Sequence, residues 1–469
     1  MKRLPILVIL LSGCVVGPDY ERPKVETPAA FTEGGDAGDW KAAAPRDGDA
    51  RGRWWEIFGD AQLDALVAQV DLSNQSIAAA EAQLRQAAGL TAQARASFFP
   101  TVNGAVQYTR SLPSSTTGPI VGATTSKRTI YSLPLNASWE ADLWGRIRRS
   151  VEQGSAAEQA SAADLVNARL SVQSSLAQSY FQLRALDSQK RLLEATVAAY
   201  AKTLELTQNR YSAGVVSRAD VAQARTQFHS TRAQLLDLGV QRAQLEHAIA
   251  VLLGKPASGF SIAASPLAAV PPPVPAGLPA DLLERRPDIA AAERRVAAAN
   301  AQIGVARAAF FPAATLGATY GFQSAASDKW FTLPSRFWSL GPALALTLFD
   351  GGRRAAVSDQ AVAAYDASVA AYRGAVLGAF REVEDNLAAL RILEEEAAIQ
   401  AEAVKAAEQS LEITLNQYQS GIVTYLQVVQ AQTTALSNQR AAADVLGRRV
   451  AASVLLIKAL GGGWDPVAR

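Results

Sequence analysis

The sequence predicts an α+β membrane protein built from two internal structural repeats, each holding long helices and a β-hairpin. Three observations predict it. Distinctive segments recur at an offset of 207–212 residues. Two stretches of 121 and 123 residues contain no proline. Four short segments alternate apolar and polar side chains, and four strands cannot close a barrel alone, so the chain must oligomerise.

The composition excludes several classes. Of 469 residues, 49% are hydrophobic and 19% charged, too apolar for a disordered chain. The net charge of +2 gives no general drive towards nucleic acid. One Cys and two His leave no disulfide and no Cys/His zinc site. His229 and His247 would stand roughly 27 Å apart along one helix and cannot share a metal. No proline-free apolar run reaches 18 residues, so no spanning helix is expected. Catalytic residues: none. Neither a nucleophile–base motif nor a phosphate loop nor a metal cluster is visible.

Residues 1–13 read as a secretory signal: Lys2 and Arg3, then the apolar Leu4 to Leu11, then Ser12 and Gly13. Leu11-Ser12-Gly13-Cys14 resembles a bacterial lipoprotein signal, which makes Cys14 an expected lipid attachment site. The only cofactor expected is that covalent lipid. Residue 15 is Val rather than the Asp that commonly retains lipoproteins at the inner membrane, which favours the outer membrane. Residues 14–60 would then be a lipid-anchored extended segment.

The first repeat is placed at 61–256 and the second at 281–462, with a Pro-rich linker at 257–280 and a tail at 463–469. Phe98-Phe99-Pro100 returns as Phe310-Phe311-Pro312, and Glu205 to Val215 returns as Glu412 to Ile422. Each repeat opens with a helix of about 29–37 residues. A hairpin follows, at 100–143 and 312–350. Tyr131, Leu133, Leu135, Ala137, Trp139 and Leu143 share one face, and Trp338, Leu340, Leu344, Leu346 and Leu348 share another. Val102, Val106, Tyr108, Leu316, Ala318, Tyr320 and Phe322 belong to their partner strands. Apolar-out and polar-in alternation over about ten residues suits a transmembrane barrel, and three copies supply twelve strands.

The proline-free stretches are rich in Ala, Gln, Leu and Arg, a helix composition. They predict long helices at 145–212 and 353–418 and return helices at 218–253 and 424–460. At 1.5 Å per residue these span roughly 100 and 54 Å. Gly214 and Gly421 suit left-handed helix ends, and Ser217 and Thr424 suit N-caps. Arg146, Arg148, Arg149, Arg353 and Arg354 begin the long helices, where cations are unfavourable. Their place below the strands suggests contact with lipid headgroups, with Trp144 and Trp139 as interface residues.

Taken together, these motifs resemble the TolC-like outer-membrane factors, in particular the NodT/OprM-type lipoprotein branch. The match runs from Cys14-Val-Val-Gly-Pro-Asp-Tyr-Glu-Arg-Pro23 through Trp54-Trp55 with Phe58-Gly-Asp60. It continues through the junctions at Asp142–Arg146 and Leu348–Arg353, Leu282–Ile289, and Ala459–Trp464. The resemblance implies a homotrimer: a 12-stranded outer-membrane β-barrel continuous with a long periplasmic α-helical barrel. It implies an efflux duct in the bacterial outer membrane that extends into the periplasm. The implied partners are a periplasmic adaptor protein and an inner-membrane pump of the proton-driven RND type, with a type I protein-secretion duct as the alternative.

The same resemblance places the two hairpin tips at the periplasmic entrance, in contact with the adaptor. The tips carry Tyr211, Gly214, Arg218 and Asp220, then Tyr418, Gly421, Tyr425, Leu426 and Gln427. Tyr211 and Tyr418 fit either heptad core positions or the gate. Gln427 and Gln430 stand where TolC-like members often carry Asp, so an acidic ring is not expected. The expected gate is formed by Tyr418, Tyr425 and Leu426, with Arg218 paired to Asp220.

Overall fold

The computed structural model describes residues 15–28, 31–33, 52–114, 126–272 and 285–462. Cys14, the signal, residues 273–280 of the linker and the tail lie outside the described residues. In chain order the elements are α1 (Ala61–Ser73), α2 (Gln75–Ala96), β1 (Thr101–Gly104), β2 (Gln107–Ser111), β3 (Arg128–Ala141), α3 (Arg146–Ser212) and α4 (Arg218–Leu252). The second half supplies α5 (Pro287–Ala308), β4 (Ala313–Ser324), β5 (Arg336–Ala345), α6 (Arg353–Gln419) and α7 (Tyr425–Ala459). Helices α3 and α6 each run 67 residues without a break.

The first opening helix is two helices, not the single one expected. Asn74 separates them: its Oδ1 accepts from Ser76 and Ile77 N–H at 2.9 and 3.1 Å, starting α2. Its Nδ2 donates to the carbonyl of Leu252 at the end of α4.

Two compact units are present, and each draws on both repeats. The first gathers Met1–Lys24, Gln83–Ser161 and Ala291–Tyr372. It holds one antiparallel sheet in which β1 and β2 both pair with β3, β3 pairs with β4, and β4 pairs with β5. The hairpins of the two halves are thus joined side by side. β1 and β2 keep one register against β3, and Ala105 N–H still reaches the carbonyl of Pro134 at 3.2 Å. The ladder breaks there because Pro134 has no N–H to return. β3 ends at Ala141, so Leu143 lies in the following turn rather than on the strand as expected.

The second unit comprises Val25–Ala82, Ala162–Ala290 and Arg373–Arg469. Its core joins Trp54, Trp55, Phe58, Leu63 and Val67 to Tyr180, Phe181 and Leu183 of α3 and to Val450 and Val454 of α7. Asp60 caps α1 through Gln62 and Leu63 N–H and also accepts from the Tyr180 hydroxyl at 2.7 Å. Burial, then that bond, raises the Tyr180 pKa to about 12. No helix among the described residues is long and apolar enough to cross a membrane.

Candidate functional site

In an antiparallel ladder, directly paired residues share a face. One row of partners runs Val102, Ala137, Ala318, Leu340 across the sheet. The rows beside it bring together Leu135, Tyr320 and Trp338, and Trp139, Leu316 and Pro342. These three rows are apolar, and Trp338 and Leu340 are 70% and 63% exposed. The other face carries the row Asn103, Asn136, Thr319, Ser339, with Thr101, Ser132, Ser138 and Gln323 around it. Thr319 Oγ1 donates to Asn136 Oδ1 at 2.9 Å. The predicted alternation is present, and a face of exposed apolar side chains stands opposite a mostly polar one whose charged members are Arg128 and Glu140.

Where strands pass into helices, an aspartate organises each junction. Asp142 accepts from Ile147 and Arg148 N–H at 2.8 and 2.9 Å, and Asp350 accepts from Gly352 and Arg354 N–H at 3.1 and 3.2 Å. Each carboxylate also pairs with an arginine, Arg148 and Arg354. The hydrogen bond from Arg354 holds the Asp350 pKa below its usual range. A carboxylate at the helix start removes the penalty that the arginines alone would carry. The recurring Asp before each Gly-Arg was the available signal for this role.

The lipid-headgroup role expected of these arginines is corrected for Arg149. Arg149 is buried: it pairs with Asp19 and Glu152 at 2.7 Å and donates to the Val16 and Gly17 carbonyls. Arg146 forms a bidentate pair with Glu140 at 2.9 and 2.7 Å. Arg353 is exposed. Trp144 stacks on Phe311 at 4.9 Å and donates to the Pro312 carbonyl, and Trp139 donates to that of Phe98.

The helix tips of the second unit are built alike. Gly214 and Gly421 have φ of 76° and 77°, in the region that only glycine enters without strain. Around each, two backbone bonds close a Schellman end: Gly214 N–H to Tyr211 and Val215 N–H to Arg210, then Gly421 to Tyr418 and Ile422 to Gln417. The starts of the return helices differ. Ser217 and Asp220 form a reciprocal capping box, while Thr424 takes the N-cap position without a side-chain bond. Gln427 holds the N3 position of that helix, but no reciprocal box forms there.

Two expectations about the gate are corrected. Asp220 Oδ2 accepts from Ser217 N–H and Oγ at 2.9 and 2.7 Å, in place of the expected pair with Arg218. Tyr418 and Tyr425 are each only 2% exposed, because their rings pack at 5.6 Å against each other, with Ala224 and Val428 around them. They are tip core. Burial also raises the Tyr425 pKa. Tyr211, Leu426 and Gln427 remain exposed.

Arg210, which the sequence reading left unassigned, joins the two tips. Its guanidinium lies 4.7 Å from the Tyr418 ring centre and donates to the Tyr418 carbonyl at 2.6 Å. Beside this core, Ser410, Thr414, Gln417, Gln427, Gln430 and Thr434 line a polar groove with no charged side chain.

The family model described as outer membrane efflux protein matches residues 66–255 and 278–462. The chain belongs to the outer membrane efflux protein family. The two matched segments overlap the two sequence repeats. As an outer membrane efflux protein it is a channel component and not an enzyme, placed in the outer membrane and extending into the periplasm.

Relatives match end to end. The pyoverdine export outer membrane protein OpmQ of Pseudomonas aeruginosa is 33% identical over 474 residues, covering 99% of this chain and 98% of its own. Nodulation protein T of Rhizobium leguminosarum bv. trifolii is 32% identical over 470 residues, with the same coverage of 99% and 98%. The solved outer-membrane channel OprN superposes with a TM-score of 0.87 at 30% identity, covering 97% of this chain and 100% of that one. The open-state MtrE channel of Neisseria gonorrhoeae gives 0.81 at 29% identity, covering 96% and 98%.

Proposed function

We propose that this chain is the outer-membrane duct of a tripartite efflux system and conducts small molecules passively to the exterior. The observation that carries the reading is the two-faced sheet with unpartnered edges. Its apolar face suits lipid, its polar face suits a water-filled lumen, and the free edges of β1, β2 and β5 need partner strands. Three copies would supply a closed barrel of twelve strands, counting β1 and β2 as one interrupted strand. A covalent lipid on Cys14 would add an anchor next to the segment that Arg149 clamps.

The partners in this reading are a periplasmic adaptor and an inner-membrane pump of the RND type, with the helix tips as the adaptor-facing entrance. Exposed Tyr211, Arg218, Leu426 and Gln427 are the contact candidates, around the buried Tyr418–Tyr425 pair. The relatives named for pyoverdine export and toluene efflux favour small-molecule export over a protein-secretion duct.

Deletion of the chain in its native strain tests the reading. Accumulation of some members of a panel of antibiotics, dyes, metals and solvents should rise, and complementation should restore export. Unchanged accumulation of every compound would remove the efflux assignment.

A further inference from the structure

The sheet has an end remote from the helices, and that end is basic. The residues at 107–114, 126–131 and 322–338 include Arg110, Lys127, Arg128, Lys329 and Arg336 against one acid, Asp328. The ladder shows which of these cations stand on the apolar face. Arg110 pairs with Thr129, two positions beyond the Tyr108–Tyr131 pair, so it shares the face of those rings. Arg336 pairs with Phe322, two positions beyond Trp338–Tyr320 on the same apolar face. Arg128 pairs with Ser111 and falls on the opposite face.

Lys329 joins the apolar side through its loop. The next residue, Trp330, lies 5.5 Å from the Tyr131 ring and donates its Nε1–H to the Phe322 carbonyl. Phe331 stacks on Trp330 at 4.7 Å and meets the Phe322 ring at 5.8 Å. The loop therefore folds over the apolar face as an aromatic layer, and Phe331 is still 62% exposed. Arg110, Lys329 and Arg336 are exposed, and none forms an ion pair with the described residues.

Cations on the hydrocarbon-facing side of a sheet need anions at the depth where the aromatic rings end. Guanidinium and ammonium groups meet that need best with phosphate, which arginine can bind in bidentate fashion. A second copy of the chain cannot supply the anions, since this end holds five cations for one acid. With the helices in the periplasm, this end faces the exterior, where the outer leaflet of a bacterial outer membrane presents phosphorylated glycolipid.

We infer that Arg110, Lys329 and Arg336, beside the Tyr131–Trp330–Phe331 aromatic layer, form a docking surface for the phosphorylated sugar headgroup of outer-leaflet glycolipid. The inference rests on the outer-membrane channel reading. It makes the surface a lipid site with a defined headgroup chemistry instead of a uniform apolar band.

Binding of bisphosphorylated lipid A to the full-length detergent-solubilised protein, read by native mass spectrometry and tryptophan quenching, tests it. Each cation removed should weaken binding about fivefold, and the triple variant R110Q/K329Q/R336Q on the order of a hundredfold. R128Q, on the other face, should bind within about twofold of wild type. Enzymatically dephosphorylated lipid A should bind the wild type as weakly as bisphosphorylated lipid A binds the triple variant. If the triple variant fails to fold, the single loop variant K329Q still carries the fivefold expectation. Unchanged affinity in the cation variants, equal binding of dephosphorylated lipid A, or effective competition by inorganic phosphate alone would overturn the inference. Conductance in planar bilayers of neutral phospholipid is measured in parallel. A wild type that fails to conduct defeats the channel reading, whereas a conducting channel without headgroup dependence defeats only the lipid site.

Discussion

Arg286 reaches three partners that lie far apart in the chain. It forms a bidentate pair with Asp288 at 3.0 and 2.7 Å, meets Glu382 at 2.8 Å, and donates to the Ala459 carbonyl at the end of α7. Burial alone would raise the Asp288 pKa, but the hydrogen bonds and charge of Arg286 outweigh it, and the net shift is downward. A carboxylate depressed in the folded state stabilises above its unfolded value of about 3.9 and loses that contribution as pH falls through its folded value. Asp288→Asn should therefore lower stability by roughly 1–3 kcal/mol at neutral pH and flatten the fall in melting temperature below about pH 4. Parallel acid melts of both proteins that superpose in slope would contradict this. Arg210 invites a second test. Its bond to the Tyr418 carbonyl and its place over that ring tie the tips together. Arg210→Ala should raise amide exchange across 415–428 by about ten- to a hundredfold, for a loss of ~1–3 kcal/mol. Neither arginine could be assigned from the sequence. Apart from Asp288, two positions from Arg286, their partners lie 96, 173 and 208 residues away, and no local periodicity reports such distances. Gly214, Gly421 and Ser217 were legible because caps are local chemistry. Tyr418 was ambiguous for the converse reason: a heptad position and a gate position look alike until its burial is known.

At the level of elements, period-2 alternation was enough to find the strands and their faces, although β5 ends at Ala345 and leaves Leu346 and Leu348, expected on it, beyond the strand. It could not show the gap between β1 and β2, whose cause is Pro134 on the neighbouring strand. Nor could it show why residue 321 is glycine. Gly321 pairs with Pro134, and a Cβ there would stand 2.3 Å from the Leu133 carbonyl oxygen and 2.9 Å from Pro134 Cα. Both obstacles are backbone, so the strand itself would have to move. Gly321→Val should cost about 2–4 kcal/mol by overpacking and strain, within the range of severe single substitutions. It should separate β3 from β4, the one ladder that joins the two repeats. Loss of heat-modifiable mobility in the variant, with helical circular dichroism retained, would be the signature. A variant as heat-modifiable as wild type would show that the strands can shift at little cost. The helix lengths, by contrast, followed from proline spacing and composition, since α3 and α6 need no distant partner to set their ends.

The whole molecule carries a duplication in sequence but not in its compact units. β3–β4 pairing merges the two hairpins into a single sheet, and the packing of Trp54, Tyr180 and Val450 draws both halves into the other unit. Both units display polar surfaces of the kind the proposed duct needs. In the sheet this is the Asn103, Asn136, Thr319, Ser339 row, and at the second tip it is the glutamine-lined groove. Apart from Arg128 at its outer end, and Glu140, which Arg146 pairs, that path carries no fixed charge and has little means of choosing between cations and anions. Under a tenfold KCl gradient the reversal potential should stay near zero, against about 59 mV for a perfectly selective pore. Thr319→Asp would place one carboxylate per copy on the polar face, beside Asn136. In a closed trimer the three carboxylates would form a ring and move the reversal potential towards the cation limit, the shift shrinking as salt screens the ring. If Thr319 faced lipid instead, the same substitution would cost stability and leave selectivity alone. The direction of that one change therefore decides which face of the sheet is the inner wall.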